Sequence, residues 1–138
     1  MFKPGSASKR NLDGVHPDLV EVVMLAYRLS KVDFSVVDGL RDIITQKRYV
    51  RTGVSQTMDS KHLEQKDGFS HAVDLYPWVN GKTNHDEKYY LMVCKAVHEA
   101  ANRLKVRVTL GCFWTSFQQN SNGVIEYGDK CHVELWSD

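Results

Sequence analysis

Asp74 interrupts the apolar run Ala72-Val-Asp-Leu-Tyr76, and His132 interrupts the run Cys131-His-Val-Glu-Leu135. Both runs are short and have the alternating or β-branched character of strands. An ionised carboxylate withdrawn from water is costly unless a cation or hydrogen-bond donors compensate it. Any fold for this chain therefore has to bring each of these groups a partner, and one shared cation is the economical choice. His62, in the polar stretch Ser60-Lys-His-Leu63, offers a third ligand. Two imidazoles and one carboxylate can hold zinc and leave its fourth position open for water, the arrangement of a catalytic rather than a structural site. If the three converge, the chain is a metallohydrolase.

His71 competes with His62 for the first ligand position. It lies three residues before Asp74, and residues an odd number apart on a regular strand face opposite sides. That argues for His62, which sits on a loop and is free to reach back. Hydrolysis also needs a carboxylate to carry a proton to the leaving group. Asp129 and Glu134 are the candidates. Glu134 is two residues from His132 and shares its strand face, so spacing alone leans to Glu134, while Asp129 needs a bend that Gly128 permits. Arg41, after the strand and turn Val36-Val-Asp-Gly39, could hold a substrate carboxylate or a developing oxyanion. Cys131 is read as a packed thiol. Tyr76, Trp78, Phe113, Trp114 and Trp136 are read as core, with Trp114 also able to line a groove.

The remaining composition narrows the class. A chain of 138 residues with 42% hydrophobic and 25% charged content suits one globular domain. Its net charge of +1 gives no electrostatic case for nucleic-acid binding. No stretch reaches the roughly 18 apolar residues of a membrane span, so no membrane insertion is expected. The first ten residues lack an apolar core, so no signal peptide is expected either. The three cysteines fit no disulfide or zinc-finger framework and are read as reduced.

Residues 1–13 are polar and expected to be loosely held. Pro17 opens a helix to about Ser30 with Leu19, Val22, Val23 and Ala26 as its buried stripe. A strand follows at Phe34–Val37, then a helix from about Asp42 to Arg51 that stops at Gly53. Residues 52–69 read as a loop, and residues 72–76 as a strand followed by an Asn80-Gly81 turn. Asn84 with Glu87 makes a capping box for the longest helix, which runs to about Leu104 with Tyr90, Val93, Cys94, Val97, Ala101 and Leu104 inward. Strands are expected at Val106–Leu110 and His132–Trp136, with an irregular excursion or hairpin over 111–128. Helices segregated on a small antiparallel sheet make an α+β domain spanning 1–138.

The order Gly39-Leu-Arg41, Gln46, Ser60-Lys-His-Leu63, His71-Ala-Val-Asp-Leu75 and Asp129-Lys-Cys-His-Val-Glu-Leu135 resembles phage endolysins of the L-alanyl-D-glutamate peptidase type. These are related to zinc D-Ala-D-Ala carboxypeptidases and dipeptidases and share the Hedgehog fold. The resemblance runs from about Pro17 to Leu135. It implies that His62, Asp74 and His132 bind Zn²⁺, and that Asp129, three residues before the last His, is the base. Glu134 then becomes the group that orients His132. The resemblance gives Arg41 the substrate or oxyanion role and makes Ser60, Gln46 and Trp114 substrate contacts. The implied activity is cleavage of bacterial peptidoglycan stem peptides, most directly at the L-Ala–D-Glu bond, by a monomer made in the host cytoplasm and released to the wall by a holin. The alternatives are a D-Ala-D-Ala carboxypeptidase or dipeptidase, and a zinc-stabilised wall-binding module without catalysis. The chain departs from the family pattern at the insertion Glu64-Gln-Lys-Asp-Gly-Phe69, at Ser70 where a Gly is usual, and at Lys130 and Cys131 where two glycines are common.

Overall fold

The computed structural model describes residues 1–53, 60–111 and 131–136. Helices α1 (Ser6–Leu12) and α2 (Pro17–Leu29) precede strand β1 (Asp33–Asp38) and helix α3 (Ile43–Arg51). Strands β2 (Ala72–Val79) and β3 (Lys82–Thr83), helix α4 (Glu87–Leu104) and strands β4 (Val108–Leu110) and β5 (His132–Leu135) complete the chain. The sheet is antiparallel, ordered β1-β2-β5-β4, with β3 folded back on β2. This is the expected α+β architecture.

Burial alternates along the two central strands. Val73, Leu75, Val133 and Leu135 are buried and belong to the apolar core, which α2 and α4 complete. Asp74, Tyr76, His132 and Glu134 are only partly buried and so stand on the other face. One period-two pattern thus makes both the core and the polar face of the sheet. Helix α2 begins as expected, with Pro17 in its first turn and His16 Nδ1 accepting from the Asp18 amide at 3.0 Å. Asn80 and Gly81 both take positive φ, 53° and 80°, which is the backbone of the tight hairpin into β3.

Several expectations are corrected. Residues 1–13 are not loosely held: residues 6–12 form α1, which lies along the outer edge of β1. Ser8 Oγ accepts from the Val36 amide at 3.0 Å, and Asn11 Nδ2 donates to the Val36 carbonyl at 2.8 Å. Two polar side chains thereby satisfy the unpaired groups of an edge strand. Helix α4 is capped by Asp86 rather than Asn84, because Asp86 accepts from the Lys88 amide at 3.0 Å while Asn84 accepts from the Asp86 amide at 2.9 Å in a preceding turn. Leu104 is 37% exposed rather than inward. Strand β4 starts two residues later than expected because the Val106 amide is spent on the Ala101 carbonyl, closing the end of α4. Trp78 and Trp136 are 40% and 54% exposed and not core. Cys112, Phe113, Trp114, Asp129 and all but the first residue of the excursion expected over 111–128 lie outside the described residues.

Gly39 follows the irregular register between Val36 and Asp38 at the end of β1. A Cβ there would meet the Asn11 carbonyl oxygen of α1 at 1.9 Å, so only glycine allows this helix to dock. Gly39→Ala should lower the unfolding midpoint by at least about 5 °C, equivalent to about 2 kcal/mol in a domain of this size. Thermal unfolding followed by circular dichroism measures it, and an unchanged midpoint contradicts the packing argument.

Candidate metal centre

Asp74 and His132 are direct cross-strand partners in the β2–β5 register. Opposed residues on one sheet face hold their Cβ atoms roughly 5 Å apart, so their side chains meet. Asp74 Oδ1 lies 2.9 Å from His132 Nδ1. The third group arrives from a loop: His62 Nε2 is 3.1 Å from Asp74 Oδ2. One ligand atom from each of His62, Asp74 and His132 lies within 4.8 Å of the others.

Local bonds aim both rings. Ser60 Oγ accepts from the His62 amide at 3.1 Å, and the His62 carbonyl accepts from the Arg41 amide at 2.9 Å. His62 Nδ1 lies 2.9 Å from the Gly39 carbonyl oxygen. A carbonyl only accepts, so Nδ1 carries the proton and Nε2 presents its lone pair to the centre. That Nε2 is buried and, among the described residues, has no aligned hydrogen-bond partner. An imidazole lone pair and a carboxylate oxygen 3.1 Å apart repel unless a proton or a metal ion lies between them. On the other ring, His132 Nε2 is 2.9 Å from Glu134 Oε1, which leaves Nδ1 for the centre. Metal-binding histidines characteristically give their second nitrogen to a carbonyl or a carboxylate in this way. The donor set and the orphaned nitrogen therefore fit a divalent metal.

The electrostatics agree. Burial raises the Asp74 carboxyl, but hydrogen bonds and positive charge from His132 and His62 outweigh it and hold the group well below the usual carboxylate range. Burial disfavours the His132 imidazolium, yet hydrogen bonds to Asp74 and Glu134, and their charges, push it up to about 9. Without metal, a proton compensates the paired acids. With metal, the ion takes that place.

His71 does not reach the centre. Its Nε2 lies 2.6 Å from Asp67 in the inserted loop, and the same carboxylate faces His16 Nε2 at 3.7 Å. The insertion closes on itself through the Gln65 amide to Phe69 carbonyl bond at 2.9 Å. Ser70 is fully buried, with Oγ 3.0 Å from the Ala72 carbonyl.

Arg41 lies beside β1 in a buried polar cluster. Its Nη1 donates to Gln46 Oε1 at 2.6 Å, its Nη2 pairs with Asp38, and the Tyr49 ring lies 4.8 Å from its guanidinium carbon. Its Nε is buried and has no partner among the described residues. Gln46 has no exposed surface, so the structure puts it behind Arg41 instead of on an open substrate wall. Tyr76, expected as core, is partly buried and packs against the apolar cluster, and its position two residues past Asp74 also sets it on the face of β2 that carries the centre. Strand alternation was the signal that could have found it.

A family model described as phage L-alanyl-D-glutamate peptidase matches residues 1–136. The L-alanyl-D-glutamate peptidase of Escherichia phage T5 is 31% identical over 140 residues, spanning 97% of this chain and 98% of that protein. The crystal structure of the Serratia marcescens L-Ala D-Glu endopeptidase ChiX is similar, with a TM-score of 0.79 and 36% identity over 97% of this chain and 90% of that one. Among the described residues, no helix is long and apolar enough to cross a membrane.

His62→Ala should reduce bound divalent metal to under about a tenth of the wild-type content, in line with the 10-fold or greater affinity losses seen when such centres are disturbed. His71→Ala should leave it intact. Elemental analysis of the dialysed proteins decides, and the reverse pattern would remove His62 from the centre.

Proposed function

The chain belongs to the phage L-alanyl-D-glutamate peptidase family, and from that premise we propose that it is a zinc-dependent peptidoglycan endopeptidase, an endolysin cutting stem peptides at the L-Ala–D-Glu bond. The observation that carries the zinc dependence is the meeting of His62, Asp74 and His132, with ligand atoms within 4.8 Å of one another. Two imidazoles, one carboxylate and no thiolate in that group suit zinc in a catalytic setting.

His62, Asp74 and His132 hold the ion in this reading. Zinc there supplies a Lewis acid that lowers the pKa of water towards about 7 and polarises the scissile carbonyl. Glu134 accepts from His132 and keeps its ring in place, as Gly39 does for His62. Ser60 holds the His62 loop. Arg41 meets the substrate or its developing oxyanion through the terminal N–H groups that Asp38 and Gln46 leave over, and Gln46 holds the guanidinium in place. Asp129 takes the proton from the attacking water and gives it to the departing amine. Trp114 lines the groove that receives the peptide.

The C–N bond between L-Ala and D-Glu breaks. L-Ala leaves with a carboxylate, still joined to the glycan, and D-Glu leaves with a free amine. The enzyme acts as a single-domain monomer, made in the host cytoplasm and reaching the wall once a holin has opened the membrane.

Purified muropeptides incubated with the protein and read by mass spectrometry test the proposal. Fragments with a new amino-terminal D-Glu should appear, vanish with a chelator and return with Zn²⁺. Free D-Ala without stem cleavage would indicate a D-Ala-D-Ala carboxypeptidase, and wall binding without any product would indicate a non-catalytic module. Asp129→Ala should cut turnover by more than about tenfold, at or above the low end for a proton-transfer group, while zinc content is kept. Near-normal turnover would take the base role from Asp129.

A further inference from the structure

Tyr76 stands on the metal-bearing face of β2, two residues beyond Asp74. Successive same-face side chains on a strand are about 6.6 Å apart, so Tyr76 shares the sheet face of the centre and is the next residue along it. On β1 it faces Ser35, near the end of the strand that carries Asp38.

Its ring is fixed while its hydroxyl is not. The ring packs edge-on against His85 at 5.0 Å and against Tyr90 at 6.4 Å. His85 is itself anchored, with Nδ1 2.6 Å from the buried Tyr90 hydroxyl. The Tyr76 hydroxyl, by contrast, has no hydrogen-bond partner among the described residues. An ordinary phenol keeps its proton near neutral pH, so the group is available there as an O–H donor.

A second donor on this face answers a need left by Arg41. Both terminal nitrogens of Arg41 are engaged by Asp38 and Gln46. The Asp38 carboxylate offsets much of its charge, and its Nε, unpartnered among the described residues, is buried. Negative charge developing on a carbonyl oxygen is stabilised most by preoriented donors that do not have to reorganise. A neutral phenol on a locked ring is such a donor.

We propose that Tyr76 is a further catalytic residue, whose hydroxyl donates a hydrogen bond to the scissile carbonyl oxygen as negative charge builds on it. This rests on the endopeptidase reading above. The hydroxyl makes its bond in the transition state and little in the bound ground state, so its loss belongs in kcat.

Tyr76→Phe in the full zinc-loaded chain, assayed on a defined muropeptide, provides the test. The substitution keeps the ring and its packing. We expect kcat to fall about 10- to 100-fold, somewhat less than the 100- to 1,000-fold typical of a fully buried oxyanion-hole donor, with KM within about twofold of wild type. Zinc content and the unfolding midpoint should match wild type. An unchanged kcat overturns the proposal. So does a change confined to KM, which would mean ground-state binding, or a loss of zinc or stability, which would mean a purely structural role. Wild-type protein that releases no stem-peptide product overturns the endopeptidase reading itself and this inference with it, an outcome distinct from wild-type cleavage that Tyr76→Phe leaves untouched.

Discussion

The pairing of Asp74 with His132 across strands β2 and β5 organises both faces of the sheet. It sets the register that sends Val73, Leu75, Val133 and Leu135 into the core. A slip of one residue in either strand would turn its polar group into that core and push its two apolar groups out. Removing one partner would leave the other's polar group unpaired in a partly buried site, so the polar pair and the apolar pattern enforce the same alignment. The candidate metal centre is thus built on the strand pairing that also builds the domain.

The third ligand depends on a longer chain of contacts. Helix α1 docks on β1 through Ser8 and Asn11, and that docking is possible because Gly39 has no side chain. The Gly39 carbonyl then fixes the His62 tautomer. Asp38, one residue earlier, holds Arg41, whose amide reaches back to the His62 carbonyl. A helix at the amino end of the chain thereby reaches the candidate metal centre through four consecutive residues, Asp38 to Arg41, that begin at the end of β1.

Much of this was legible in the sequence. Alternation located β1, β2 and β5, and Pro17 with its apolar stripe located α2. The misplaced charge of Asp74 and His132 announced a shared site. Alternation also argued that His71 diverges from Asp74, and the structure brings His62 and not His71 to that carboxylate. Other features were hidden because their cause is non-local. Helix α1 has too few apolar residues to declare itself, and its order comes from bonds to a strand edge 28 and 25 residues away in the chain. The cap of α4 moved from Asn84 to Asp86 because two adjacent acceptors competed for neighbouring amides. Gln46 read as an open substrate contact, since nothing in its sequence neighbours shows that Arg41 lies over it. Tyr76 packs against the core cluster as its composition suggests, while the period that placed Asp74 also sets it on the polar face of the sheet.

The claim on which the rest stands is that two imidazoles and one carboxylate, without a thiolate, surround a single zinc ion. X-ray absorption at the zinc edge of the purified full-length protein tests it most directly. The account predicts one zinc per chain with only nitrogen and oxygen neighbours, at about 2.0–2.2 Å. Absence of stoichiometric zinc would contradict it. So would a sulfur neighbour at about 2.3 Å, which would draw in Cys131 beside His132 in place of the ligands described.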